Sequence, residues 1–168
     1  MAISNYSELK TAAQNWSART DTVITNRLDE FITNAEDRVF YGDESVTDAK
    51  GKSLMPLRVR AMESTEDLTI SSQETALPTG FLEARAFYLN TNDKEPMPYF
   101  TPDRFWETIA ASNNSTGQPT LYTLQGDNLV VAPSPDTSYT GKLLCYKKLT
   151  GLSSGNTTNW LITNSPGT

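Results

Sequence analysis

Residues 24–39, ITNRLDEFITNAEDRV, set the character of the first part of the chain. Ile24, Leu28, Phe31, Ile32, Ala35 and Val39 fall on one stripe at helical spacing, and Asn26, Asp29, Glu30, Asn34 and Asp37 take the other face. Asp21 is placed to cap the start and Gly42 to stop the end. Upstream, Tyr6, Leu9, Ala13 and Trp16 repeat the helical spacing over a shorter stretch. Asn5, three residues before Glu8, resembles a capping box with Asn in place of Ser or Thr. The polar step Arg19-Thr20-Asp21 joins the two helices. Helices this short cannot bury both stripes alone, so they need partners from later in the chain or from another subunit.

Beyond Gly42 the pattern changes. Residues 42–53, GDESVTDAKGKS, are charged and without period, and read as an exposed loop. Leu57, Val59 and Ala61 alternate with Arg58 and Arg60 after Pro56, which fits either the end of a helix or the start of an extended segment. From Glu66 onward the pattern is that of strands: Leu68 and Ile70 alternate with Thr69 and Ser71, and residues 81–89 are mostly apolar. Residues 97–100 make a short strand candidate. Residues 121–124 and 129–131 read as a hairpin around the four-residue loop Gln125-Gly126-Asp127-Asn128, its second arm ended by Pro133 and Pro135. Residues 139–148 form another strand candidate. A small helix starts at Pro102 and Asp103, with Phe105, Trp106, Ile109 and Ala110 as its apolar face. Helices followed by strands give an α+β fold.

Composition limits the chemistry. The 168 residues carry 14 Lys+Arg against 20 Asp+Glu, a formal charge of −6, which argues against a general nucleic-acid binder. No run approaches the roughly 20 apolar residues of a membrane helix, so no membrane partner is expected. The N-terminal MAISNYSELK lacks the basic and apolar regions of a signal peptide. There is no histidine, which removes Ser-His-Asp and Cys-His catalysis and the commonest zinc ligand. Cys145 is the sole cysteine; it lies in the apolar run Leu143-Leu144-Cys145-Tyr146 and reads as a core residue.

The remaining constellations favour ordinary structure. Glu36/Asp37, Glu66/Asp67 and Asp43/Glu44 lie on helix faces or polar loops, so a carboxylate hydrolase has the weakest support. Residues 43–52 do not supply a calcium loop, and no phosphate-binding glycine motif occurs. No catalytic, cofactor-binding or metal-ligating residue is therefore assigned. Tyr99, Phe100, Phe105 and Trp106 form the densest aromatic cluster and read as core. Arg58/Arg60 and Lys142/Lys147/Lys148 read as surface charge. Trp160, Leu161 and Ile162 stand out as an apolar triplet in a polar tract, like an anchor onto another surface.

The order of motifs resembles the head-to-tail adaptor proteins of tailed bacteriophages, the connector or tail-accessory-factor group. Residues 31–41 (FITNAEDRVFY) resemble the family's helix with an Ala-Glu-x-Arg core, and 57–63 (LRVRAME) the segment after it. Residues 77–89 (LPTGFLEARAFYL) resemble the stretch entering the β-region, and 99–105 (YFTPDRF) the turn into the small helix. Residues 117–135 (GQPTLYTLQGDNLVVAPSP) resemble the hairpin ending in Ala-Pro-x-Pro, and 146–166 the strand followed by Leu-Ser and Asn-Trp-Leu. The resemblance implies a structural virion protein of the neck, made in the host cytoplasm. It implies a ring, usually of twelve subunits, between the portal and the tail nozzle or other tail proteins, with DNA passing non-specifically through its centre. It also implies helices after the Asn-Trp-Leu motif; the sequence stops at Ser165-Pro166-Gly167-Thr168, so the expectation is either that these helices are missing from the protein or that the chain is shortened.

The resulting expectation is a non-enzymatic protein with a helical region at 1–56, an antiparallel β-subdomain with one short helix at 57–152, and a polar tail with a Trp anchor at 153–168. Ile24, Leu28, Phe31, Ile32, Trp160, Leu161 and Ile162 are the candidate interface residues. The competing reading is a glycan- or receptor-binding β-module of a phage tail, motivated by Tyr99, Trp106 and Tyr122 in a Thr/Ser/Asn-rich β-region.

Overall fold

The computed structural model describes residues 3–19, 21–47, 50–90, 95–111, 115–155 and 157. The chain divides into two compact units, Met1–Met62 with Lys148–Thr168, and Glu63–Lys147. The fold is α+β, with a helical pair followed by an antiparallel β-region.

In the first unit, α1 (Tyr6–Ser17) and α2 (Thr22–Tyr41) begin where the caps predict. Asn5 Oδ1 accepts from the Glu8 amide at 2.9 Å, and Asp21 Oδ1 from the Ile24 amide at 3.1 Å, each satisfying one of the free amides of a first turn. The Glu8 carboxylate reaches one residue beyond the usual capping box, to the Ser4 amide at 2.8 Å. Gly42 ends α2 with φ +80°, and a Cβ there would lie 2.8 Å from the Leu54 carbonyl, so glycine is required twice over.

Residues 42–53 are not the loop that their polarity suggests. They hold β1 (Asp43–Thr47), paired antiparallel with β2 (Ser53–Leu54). The side chains of β1 are almost all exposed, so no alternation marks the strand. Next, the segment runs extended into a single 3₁₀ turn, Arg60–Met62. Its pattern is inverted relative to hydropathy: Leu57 and Val59 are exposed, while the Arg58 guanidinium donates to the Phe40 carbonyl at 2.9 Å.

The second unit is built of two three-stranded sheets and one helix. The first sheet has the order β3 (Glu63–Ile70), β8 (Tyr139–Lys147), β5 (Phe81–Leu89). The second has the order β4 (Glu74–Ala76), β7 (Asn128–Ala132), β6 (Leu121–Gln125). Leu68, Ile70, Phe87, Leu89, Leu143 and Cys145 of the first sheet pack with Tyr122, Leu129 and Val131 of the second. The other side of β7, Val130 and Ala132, packs with Phe105 and Ile109 of α3 (Pro102–Ala111). Covered on both sides, β7 therefore reads as the unbroken apolar run Leu129-Val130-Val131-Ala132.

Three local expectations change here. The hairpin turn is two residues, Gly126-Asp127, with Gln125 paired to Asn128 and Gly126 at φ +58°. Residues 97–100 form no strand; Tyr99 makes a single bridge to Tyr122. On α3 only Phe105 and Ile109 turn inward, whereas Trp106 and Ala110 are exposed.

Candidate interaction surface

The two helices of the first unit meet largely through polar groups. The Tyr6 hydroxyl donates to Asp29, and Lys10 Nζ lies 2.9 Å from the same carboxylate and 5.6 Å from the Tyr6 ring centre. One turn on, Gln14 Nε2 donates to Thr25 Oγ1 at 3.1 Å. Burial, and then the hydrogen bond to Asp29, push the Tyr6 phenol up to about 12. The Tyr6 and Lys10 bonds hold Asp29 below the ordinary aspartate range.

These contacts fix which flank of α2 meets α1. Thr25 and Asp29 point to it, and at 3.6 residues per turn they lie to one side of the Ile24–Val39 stripe. The centre of the stripe is covered: Leu28 is 4% exposed. The far flank is open at Phe31, three residues on, which is 48% exposed; Val39, nearer the line of Leu28 and at the end of the helix, is exposed too. Towards its end α2 receives chain from both directions. The Leu57 amide donates to the Val39 carbonyl at 2.8 Å, the Leu152 amide to Glu36 at 2.9 Å, and Lys148 pairs with Asp37 at 2.7 Å, its Nζ 4.5 Å from the Tyr41 ring centre. None of these covers Phe31.

Placed individually, the expected interface residues separate. Ile24 and Ile32 are half-buried, Leu28 is buried, and Phe31 is exposed. Trp160, Leu161 and Ile162 lie outside the described residues. Trp16, expected on the apolar stripe of α1, is 92% exposed, more than any other large apolar side chain among the described residues. Tyr6, Lys10 and Gln14 define the side of α1 that meets α2, and Trp16 falls outside it, over Ala12. Ile3, Val23, Met55 and Tyr41 are further exposed apolar groups that spacing alone missed. They sit at helix ends and in connections, where no period exists to mark them.

The cavities add no chemistry. A polar groove of about 830 Å³ runs beside Tyr6, Lys10, Gln14, Asp29, Leu152 and Ser153. Its perturbed carboxylate, Asp29, is shifted down and so offers no proton near neutrality. Among the described residues no cluster of His, Cys, Asp or Glu could hold a metal ion. Burial raises the Cys145 thiol to about 11 and keeps it protonated. The lysine group is spent within the chain: Lys142 pairs with Asp67, Lys147 with Glu66 and Lys148 with Asp37. Among the described residues no helix is long and apolar enough to cross a membrane.

The described residues thus combine a helical pair that leaves Phe31 in solvent with a β-unit inserted after it. The family model described as SU10 adaptor protein matches residues 4–167, and the chain belongs to that family of phage structural adaptors. No curated protein matches the sequence.

Proposed function

We propose that the protein is a non-enzymatic head-to-tail adaptor in the neck of a tailed-phage virion. In this reading, copies of it form a ring between the portal and the tail nozzle or other tail proteins, and DNA passes through the centre. The ring copy number follows the twelvefold expectation from the resemblance.

The observation that carries this reading is the split stripe of α2, with Leu28 enclosed and Phe31 left in solvent. A monomer gains nothing from an exposed aromatic at that position, whereas an assembled ring buries it. Family membership over residues 4–167 supports the same reading. Ile24, Phe31 and Ile32 are proposed as contact residues, with Leu28 beneath them and Trp160, Leu161 and Ile162 as a tail anchor. The acidic balance suits a lumen that lets DNA slide without gripping it.

The test is native mass measurement of the full chain, alone and with portal rings, followed by imaging of purified particles. A ring at the portal–tail junction is expected. A chain that stays monomeric and binds neither portal nor tail overturns the proposal, and heat released on mixing with host-surface polysaccharide would revive the glycan-binding alternative.

A further inference from the structure

The first unit carries two open apolar surfaces of opposite charge. The first is the flank of α2 around Phe31. At helical spacing Arg27 and Arg38 border it. Arg27 has no ion-pair partner among the described residues, and Arg38, paired with Asp43 at 3.0 Å, keeps most of its side chain in solvent. The second is an open trough of about 780 Å³ on the outer face of α1, lined by Ile3, Glu8, Ala12, Asn15 and Trp16 among others. Ile3 and Trp16 are both exposed apolar members of it, and Ala12 contributes only a methyl group. Its one charged group is Glu8, fixed by the Ser4 amide at 2.8 Å and Asn5 Nδ2 at 3.0 Å. Those bonds hold Glu8 below the usual glutamate range, so it is ionised at neutral pH, and a carboxylate with three donors still has room for a fourth.

We propose that Phe31 of one copy seats in the α1 trough of the next copy, between Ile3 and Trp16 and over Ala12, with Arg27 facing Glu8. Charge selects this pairing over its alternatives. A two-fold contact through α2 would set Arg27 and Arg38 against the same arginines, and one through α1 would set Glu8 against Glu8. Only unlike faces bring cation to carboxylate, and a contact between unlike faces propagates around a ring instead of ending at a dimer. A large side chain entering a hollow floored by alanine is also ordinary helix packing. The inference rests on the ring reading above and specifies which surfaces close the ring.

Cysteine cross-linking of the full chain tests it, with Cys145→Ala as background. Asn15→Cys with Asn34→Cys in one chain, each one turn beyond Ala12 and Phe31 and leaving both in place, should give a ladder of disulfide-linked multimers under oxidation. Each single cysteine should give none, and an equal mixture of the two singles should give dimers. Dimers from either single variant would overturn the proposal in favour of a two-fold contact. The mass of the wild-type assembly, measured on portal rings, separates the two levels of inference. A ring of normal mass without a ladder overturns this contact alone, and no assembly at all overturns the ring reading with it. A charge exchange tests it without relying on disulfide geometry. Arg27→Glu or Glu8→Arg alone should weaken self-association roughly tenfold, and the two together should restore it. Failure of the double variant to recover, with each protein melting like wild type, counts against the contact.

Discussion

Tyr6 on α1 donates its phenolic hydrogen to Asp29 on α2, and Lys10 approaches the same carboxylate at 2.9 Å. This one carboxylate orients the pair, because it sits beside the apolar stripe and draws α1 off the stripe's centre. The direction of each titration follows from the contact. Asp29 is held below its ordinary value, so its contribution is present above about pH 4 and lost as pH falls further. Tyr6 is raised from 10.0 to about 12, so its contribution is complete below pH 10.0 and lost as pH rises through about 12. Melting curves of wild type and Tyr6→Phe should therefore differ by a constant amount between about pH 5 and pH 9, converge at low pH, and above about pH 10 approach and then cross as the buried phenol of wild type ionises. A difference unchanged down to about pH 2 would mean that the bond does not act in solution.

Gly141 tests the packing of the β-unit. A Cβ there would lie 2.5 Å from Phe87 Cε2 and 3.3 Å from Ile70 Cγ1, and both neighbours are fully buried. Gly141→Ala should cost about 1–3 kcal/mol in urea unfolding. Combining it with Phe87→Leu should recover part of that loss; a neutral Gly141→Ala would show that the ring of Phe87 has room to move.

Thr123 lies fully buried on β6, and its hydroxyl has no hydrogen-bond partner among the described residues. Thr123→Val keeps the shape and removes the unpaired group. It should stabilise by about 1 kcal/mol, read as a higher unfolding midpoint. A destabilised variant would mean that the hydroxyl has found a bonding partner in solution.

The two faces of α3 should separate cleanly. Phe105→Ala removes a fully buried ring packed with Val130 and Ala132 and should cost about 3–5 kcal/mol. Trp106→Ala, at a position 42% exposed, should change stability by less than about 1 kcal/mol despite the size of the indole.

Sequence reading succeeded where one physical signal dominated. Asn5, Asp21 and Gly42 each have a single local job, and each performs it. Residues 81–89 coincide with β5 because the side that faces the other sheet, ending in Phe87 and Leu89, must be apolar. It failed where tertiary contacts decide orientation. The Ile24–Val39 stripe is plain in the sequence, but which of its members end covered, as Leu28 does, or exposed, as Phe31 does, depends on Asp29 and Thr25 as bonding partners for α1, which hydropathy does not encode. Trp16 shares the apolar spacing of α1, yet the side of α1 that meets α2 is set by Tyr6, Lys10 and Gln14, which leave it in solvent. Polar β1 gave no alternation to detect, and Arg58 packs inward for the sake of a carbonyl on Phe40. Of the candidate interface, Phe31 was legible as part of a stripe, but the trough on α1 was not, since it is defined mainly by what is small.

Glu63 and Tyr146 face each other in one ladder, so the entrance and exit of the β-unit share a doorway. A stretch of polypeptide whose two ends already touch behaves as a cassette. It can be lengthened, pruned or exchanged over evolutionary time while the helical pair that precedes it keeps its threading. Variation can then collect inside the cassette without any change in the helical pair outside it.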